Sequence, residues 1–102
     1  SITAGDFDGD GDLDLGVANG VIVVTVSILE NDGTGGFIQS ALINLGSVPR
    51  SITTGDWDND GDLDLAVGTG SNNVSILTND GNGNFNQTST PSVGSAPESI
   101  IT

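Results

Sequence analysis

Ten residues, Asp6-Phe7-Asp8-Gly9-Asp10-Gly11-Asp12-Leu13-Asp14-Leu15, return fifty positions later as Asp56-Trp57-Asp58-Asn59-Asp60-Gly61-Asp62-Leu63-Asp64-Leu65. Fourteen of the first twenty positions of the two copies are identical, starting from Ser1-Ile2-Thr3 and Ser51-Ile52-Thr53. Val26-Ser27-Ile28-Leu29 matches Val74-Ser75-Ile76-Leu77 at a spacing of forty-eight, so the first copy carries two extra residues near Val21–Thr25. Asn31-Asp32-Gly33 and Phe37 match Asn79-Asp80-Gly81 and Phe85, and Ser99-Ile100 opens a third copy. A repeat of this length is one supersecondary unit that cannot bury its apolar faces alone.

Each repeat reads as four short strands. In the first they are Ser1–Gly5, Leu13–Ala18, Ile22–Leu29 and Phe37–Leu45; in the second, Ser51–Gly55, Leu63–Gly68, Val74–Thr78 and Phe85–Ser89. Leu13, Leu15 and Val17 alternate onto one face. No segment holds a 3.6-residue apolar period, and the breaks are rich in Gly and Asn, which predicts little or no helix. Four antiparallel strands in forty-eight to fifty residues is the size of one β-propeller blade. The expected organisation is therefore all-β: blade 1 over 1–50 with its loop at 6–14, blade 2 over 51–98 with its loop at 56–64, and the first strand of a further repeat at 99–102. Propellers close with about four to eight blades. Two blades thus imply a trimer or tetramer closing a six- or eight-bladed ring, or neighbouring repeats of a longer parent chain. The chain starts at Ser1 without Met and shows no signal peptide, and we expect a processed or excised piece.

The acidic stretch carries the chemistry. Asp6, Asp8, Asp10, Asp12 and Asp14 occupy loop positions 1, 3, 5, 7 and 9, as do Asp56, Asp58, Asp60, Asp62 and Asp64. Alternating carboxylates can turn onto one hard cation, and Ca²⁺ takes six to eight oxygens. Gly11 and Gly61, at position 6, permit the sharp turn. The expected donors are the side chains of Asp6, Asp8, Asp10 and Asp14 with the carbonyl of Asp12, and Asp56, Asp58, Asp60 and Asp64 with the carbonyl of Asp62: two Ca²⁺ per chain. Like charges 4–5 Å apart repel by roughly 3–4 kcal/mol per pair at an effective dielectric of ~20, so an ordered loop of this kind calls for a cation. An EF-hand would need Glu at position 12 and flanking helices; position 12 is Val17 and Val67.

Composition narrows the function. The chain has no Cys, His or Tyr, a single cation in Arg50, and a net charge of −13. Thiolate and imidazole metal sites and His-based acid–base catalysis are excluded. Nucleic-acid binding and attraction to anionic membranes require Lys/Arg clusters, and no apolar run is long enough to insert into a membrane. Two bound Ca²⁺ would bring the charge from −13 to −9.

The Asp-Phe-Asp-Gly-Asp-Gly-Asp-Leu-Asp-Leu loop, followed by Val-Ser-Ile-Leu and Asn-Asp-Gly-x-Gly-x-Phe, resembles the FG-GAP/VCBS repeat family over essentially the whole chain. The resemblance implies a β-propeller of four-stranded blades with Ca²⁺ between the first two strands of a blade, as in integrin α-chain propellers. It further implies extracellular or cell-surface adhesion and ligand recognition. The family often has Asn at the third loop position, where this chain has Asp8 and Asp58. The resulting reading is a non-catalytic interaction scaffold with structural Ca²⁺ and a protein or glycan ligand. The alternatives are a propeller lectin with sugar sites between blades, for which Trp57 would be the stacking platform, and a fragment of a polysaccharide lyase. A lyase needs a base, and outside the loops Glu30 and Glu98 are the candidates. Phe7 and Trp57 point away from the ion and are expected to pack between blades, with Phe37 and Phe85 as core anchors. Arg50 reads as a ligand contact or as a partner for nearby acids. Asn73-Val74-Ser75 and Asn86-Gln87-Thr88 match the glycosylation sequon.

Overall fold

A computed structural model of the chain describes residues 1–20 and 24–90. Two four-stranded antiparallel sheets follow one another, and no helix occurs among the described residues. The first sheet is β1 (Ile2–Gly5), β2 (Asp14–Asn19), β3 (Thr25–Asn31) and β4 (Phe37–Asn44). The second is β5 (Pro49–Gly55), β6 (Asp64–Thr69), β7 (Val74–Asn79) and β8 (Phe85–Ser89). Spatial order equals sequence order in both, so each is a meander whose neighbours are joined by the loops and turns read from the sequence. β5 starts at Pro49, two residues ahead of the repeat boundary. The extra residues near Val21 lie partly, and the third repeat at Ser99–Thr102 wholly, outside the described residues, as does Glu98.

Register repeats as closely as sequence does. Gly5 opposes Asp14 and Ala4 opposes Leu15; Gly55 opposes Asp64 and Thr54 opposes Leu65. A one-residue irregularity interrupts β3–β4 between Ile28 and Leu29, and another interrupts β7–β8 between Ile76 and Leu77, at matching positions. Such bulges bend and twist the strand locally. Ser40 and Thr88 stand at these points with hydroxyls directed to the carbonyls of Ile28 and Ile76.

The sheets stack through unlike faces. Sheet 1 presents the side carrying Phe7, Gly16, Val26 and Ile28; sheet 2 presents Ile52, Leu65, Val67 and Leu77, and together these form one buried core. Gly16 lets β2 approach closely: a Cβ there would meet Ile52 Cδ1 at 3.4 Å and Leu65 Cδ2 at 3.5 Å. Phe7 is buried and meets Phe85 edge-on, with ring centroids 5.5 Å apart at 80°, the geometry aromatic quadrupoles favour. The expectation for Phe7 and Phe85 therefore holds. Phe37 differs: it is exposed, because sheet 1 has nothing stacked on its Leu13 side among the described residues. Trp57 is exposed in the same way at the opposite end.

The buried face sets the expected mutational response. Leu65→Ala removes a side chain enclosed by both sheets and should cost about 2–5 kcal/mol. Ile38→Ala, on an exposed stretch of β4, should stay within about 0.5 kcal/mol. Urea denaturation of both variants reads the difference.

Candidate metal centres

Each acidic loop spans a strand junction, β1 to β2 and β5 to β6, and its backbone is folded by its own first aspartate. Asp6 Oδ1 accepts the N–H groups of Gly9 (2.8 Å) and Asp10 (3.1 Å), and Oδ2 accepts that of Gly11 (2.9 Å). Asp56 repeats this with Asp60 (3.1 Å) and Gly61 (2.9 Å). These bonds draw the chain into a tight curl that passes twice through the left-handed region. Gly11 and Gly61 have φ of 90°, and Gly9 and Asn59 have φ of 78° and 67°. The position-6 glycines were anticipated. The position-4 requirement was missed, although its signal is present: Gly and Asn are the residues that adopt this conformation most readily.

Position 9 is built differently. Asp14 and Asp64 are fully buried, and each carboxylate bridges two segments of backbone. Asp14 accepts from Phe7 N–H and Asn31 N–H, both at 2.9 Å. Asp64 accepts from Trp57 N–H at 3.0 Å and Asn79 N–H at 2.9 Å. One side chain thus ties the start of the acidic loop to the end of the third strand of its sheet.

The loops converge their carboxylates. Oxygens of Asp56, Asp58, Asp60 and Asp64 lie within 4.8 Å of one another, as do those of Asp6, Asp8 and Asp14. Oxygens on opposite sides of a Ca²⁺ at 2.3–2.6 Å each are about 5 Å apart, so both sets fit one coordination sphere. The donors are all oxygen, which suits a hard cation. Asp10 stands outside the tighter set of the first loop; its carboxylate accepts from Asp12 N–H at 2.9 Å. Asp12 and Asp62 turn away toward the next turn of the sheet, where a Cβ on Gly33 or Gly81 would come within 2.9 Å of their Oδ2 atoms.

Asn31 and Asn79 are site-organising residues that the sequence marks only as matching members of the Asn-Asp-Gly repeat. Asn79 donates to the carbonyls of Leu63 (3.0 Å) and Phe7 (2.8 Å), while its Oδ1 accepts from Gly81 (3.0 Å) and Gly83 (3.1 Å). It therefore links its own loop to the loop of the other sheet. Asn31 donates to Leu13 O at 3.0 Å and accepts from Gly33 N–H at 2.9 Å. The turns that follow are five-residue loops closed by Asp32 N–H to Gly36 O (2.9 Å) and Asp80 N–H to Asn84 O (3.0 Å).

Crowding divides the protonation behaviour of the loops. Loss of surrounding water, reinforced by Asp10 and Asp14, pushes Asp8 up to about 6. Loss of water, with Asp60 and Asp64 adding repulsion, does the same to Asp58, also to about 6. Asp6 and Asp56 move down, held ionised chiefly by the Gly11 and Gly61 N–H groups.

The comparisons with known proteins follow this geometry. A family model described as an FG-GAP-like repeat matches residues 6–67 and 56–101, taking in both acidic loops. No curated protein and no solved structure matches the chain.

The shifts define a pH response for the metal-free chain. Asp8 and Asp58 bind protons more tightly folded than unfolded, so their stabilising protonation is complete below about 4 and is lost as pH rises through about 6. Asp6 and Asp56 act oppositely and lose their contribution at lower pH still. In EDTA, Tm should therefore rise as pH falls from about 7 to about 5. A thermal melt across that range checks the direction; a monotonic fall would contradict it.

Proposed function

Because the chain belongs to the FG-GAP-like repeat family, we propose that it is a calcium-binding β-propeller repeat module, each four-stranded sheet being one blade with one structural Ca²⁺. The observation that carries this reading is the duplicated convergence of carboxylates within 4.8 Å at equivalent strand junctions. Asp6, Asp8 and Asp14 would hold one ion with Asp10 and the Asp12 carbonyl. Asp56, Asp58, Asp60 and Asp64 would hold the other with the Asp62 carbonyl. Bound Ca²⁺ supplies positive charge to a loop whose carboxylates otherwise repel one another. The chain's own residues do the remainder: Asp6 and Asp56 curl the loop, and Asp14 and Asp64 lock it to the sheet.

The module acts as a non-catalytic interaction scaffold. Catalysis at a metal needs open coordination positions and an adjacent base, whereas these loops bring several carboxylates of their own to each ion. FG-GAP repeats are typical of extracellular proteins, and no helix of the described residues is long and apolar enough to cross a membrane. An extracellular setting also suits the affinity: sites of about 10⁻⁴–10⁻³ M are filled where Ca²⁺ is abundant.

Calorimetric titration should give two Ca²⁺ per chain, and saturating Ca²⁺ should raise Tm relative to EDTA. At 100 times the dissociation constant, the stabilisation from one site is about 2.7 kcal/mol. Asp60→Ala should abolish or weaken one of the two binding events and leave the other. An unchanged melt after full chelation, with no heat of binding, would sink the metal reading. Affinity should also fall as pH drops through about 6, where protons compete for Asp8 and Asp58.

A further inference from the structure

The two outer faces of the pair of sheets are the two halves of the interface between them. Four contact residues of that interface, Phe7, Ile52, Leu63 and Phe85, have counterparts one repeat away that stand exposed. Ile52 is 6 % exposed and its counterpart Ile2 is 64 %. Phe7 is 1 % exposed and its counterpart Trp57 is 42 %. Leu63 packs on the core while Leu13 is 62 % exposed, and Phe85 packs on the core while Phe37 is open. Sheet 1 therefore displays Ile2, Leu13 and Phe37 at the positions with which sheet 2 receives sheet 1, and sheet 2 displays Trp57 at the position with which Phe7 docks.

The polar contacts repeat the pattern. Asn79 uses both amide hydrogens, one on Leu63 O within its sheet and one on Phe7 O across the interface. Asn31 makes the equivalent bond within its own sheet, to Leu13 O, and no acceptor takes its other hydrogen among the described residues. The counterpart of Phe7 O is the carbonyl of Trp57. Sterics agree as well. Where sheet 1 has Gly16 against Ile52 and Leu65, sheet 2 has Ala66, and a Cβ at the Gly16 position meets those side chains at 3.4–3.5 Å, a contact needing no rearrangement of consequence.

We infer that the partner for both faces is a second copy of this chain, docked head to tail: Trp57 of one copy seats against Phe37 of the next as Phe7 seats against Phe85, and Asn31 of the receiving copy donates to the carbonyl of Trp57. This deepens the propeller reading and rests on it. The contact continues an interface already present inside the chain. It uses two different patches, so it is heterologous, and repetition closes a ring when the rotation between sheets allows. Two sheets per chain and about four to eight per ring correspond to two, three or four copies.

The test exploits the two-patch geometry. Light scattering of the wild type in Ca²⁺ should give a discrete multiple of 10.2 kDa. Leu13→Asp blocks one patch and Trp57→Ala weakens the other by about thirtyfold or more, so each variant alone should run as a monomer. Mixed, they retain one intact pair and should form a 1:1 heterodimer that grows no further. Trp57 is the only Trp, so its emission in the Leu13→Asp chain should shift to the blue on mixing. Adding Asn31→Ala to the Trp57→Ala chain should weaken the heterodimer by about tenfold. Far-UV circular dichroism of each variant serves as the folding control. Variants that keep the β-sheet circular dichroism of the wild type but do not pair, a wild type that stays monomeric at every concentration, or single variants that still assemble would each overturn the head-to-tail interface while leaving the metal reading intact. A monomer whose Trp57 emission answers to a saccharide would assign that face to a glycan instead. Loss of Ca²⁺ binding by the wild type would strike the metal reading alone.

Discussion

A single buried carboxylate in each repeat holds the architecture together. Asp14 and Asp64 reach from the first residue of the second strand to two amides that lie far apart along the chain. A carboxylate that accepts two backbone N–H bonds in a buried position satisfies amides that would otherwise cost about 1–3 kcal/mol each. It also fixes where the acidic loop leaves the sheet, and hence where Asp6, Asp8, Asp56 and Asp58 converge. The same carboxylate belongs to the candidate metal centre and closes the sheet.

The second dependence is between sheets. Asn79 anchors the loop of sheet 1 through the Phe7 carbonyl while Phe7 itself fills the core beside Phe85. The loop of the first repeat is thereby braced by the turn of the second. The two repeats thus depend on each other for both burial and hydrogen bonding. The asymmetry of the pair, with one face closed and one open on each sheet, follows directly from having two repeats side by side.

Much of this was legible in the residues. The strands follow from alternation and from Gly- and Asn-rich breaks; all eight appear within about two residues of the expected bounds, save at β3, whose expected start lies among residues that are not described. The convergence of alternate aspartates follows from the turn that Gly11 and Gly61 permit. What stayed hidden depended on the third dimension. Phe37 and Phe85 are equivalent in sequence, yet only Phe85 has a sheet against it. Asn31 and Asn79 belong to identical Asn-Asp-Gly triplets, and nothing in the triplet says that the side chain of Asn79 reaches a carbonyl seventy-two residues away. Asp14 and Asp64 read as ordinary members of an acidic series, because alternation along a loop does not reveal which member is buried.

The meander order bears on how the chain folds. Each strand pairs only with the strands before and after it in sequence, so loop closure within a sheet involves short segments and little chain entropy. Such local topology favours rapid formation compared with sheets that must recruit distant strands. Strand order within a sheet can therefore be settled by local pairing, but the apolar faces that the pairing creates stay uncovered until the neighbouring sheet stacks on them, so pairing is a local matter and burial a shared one.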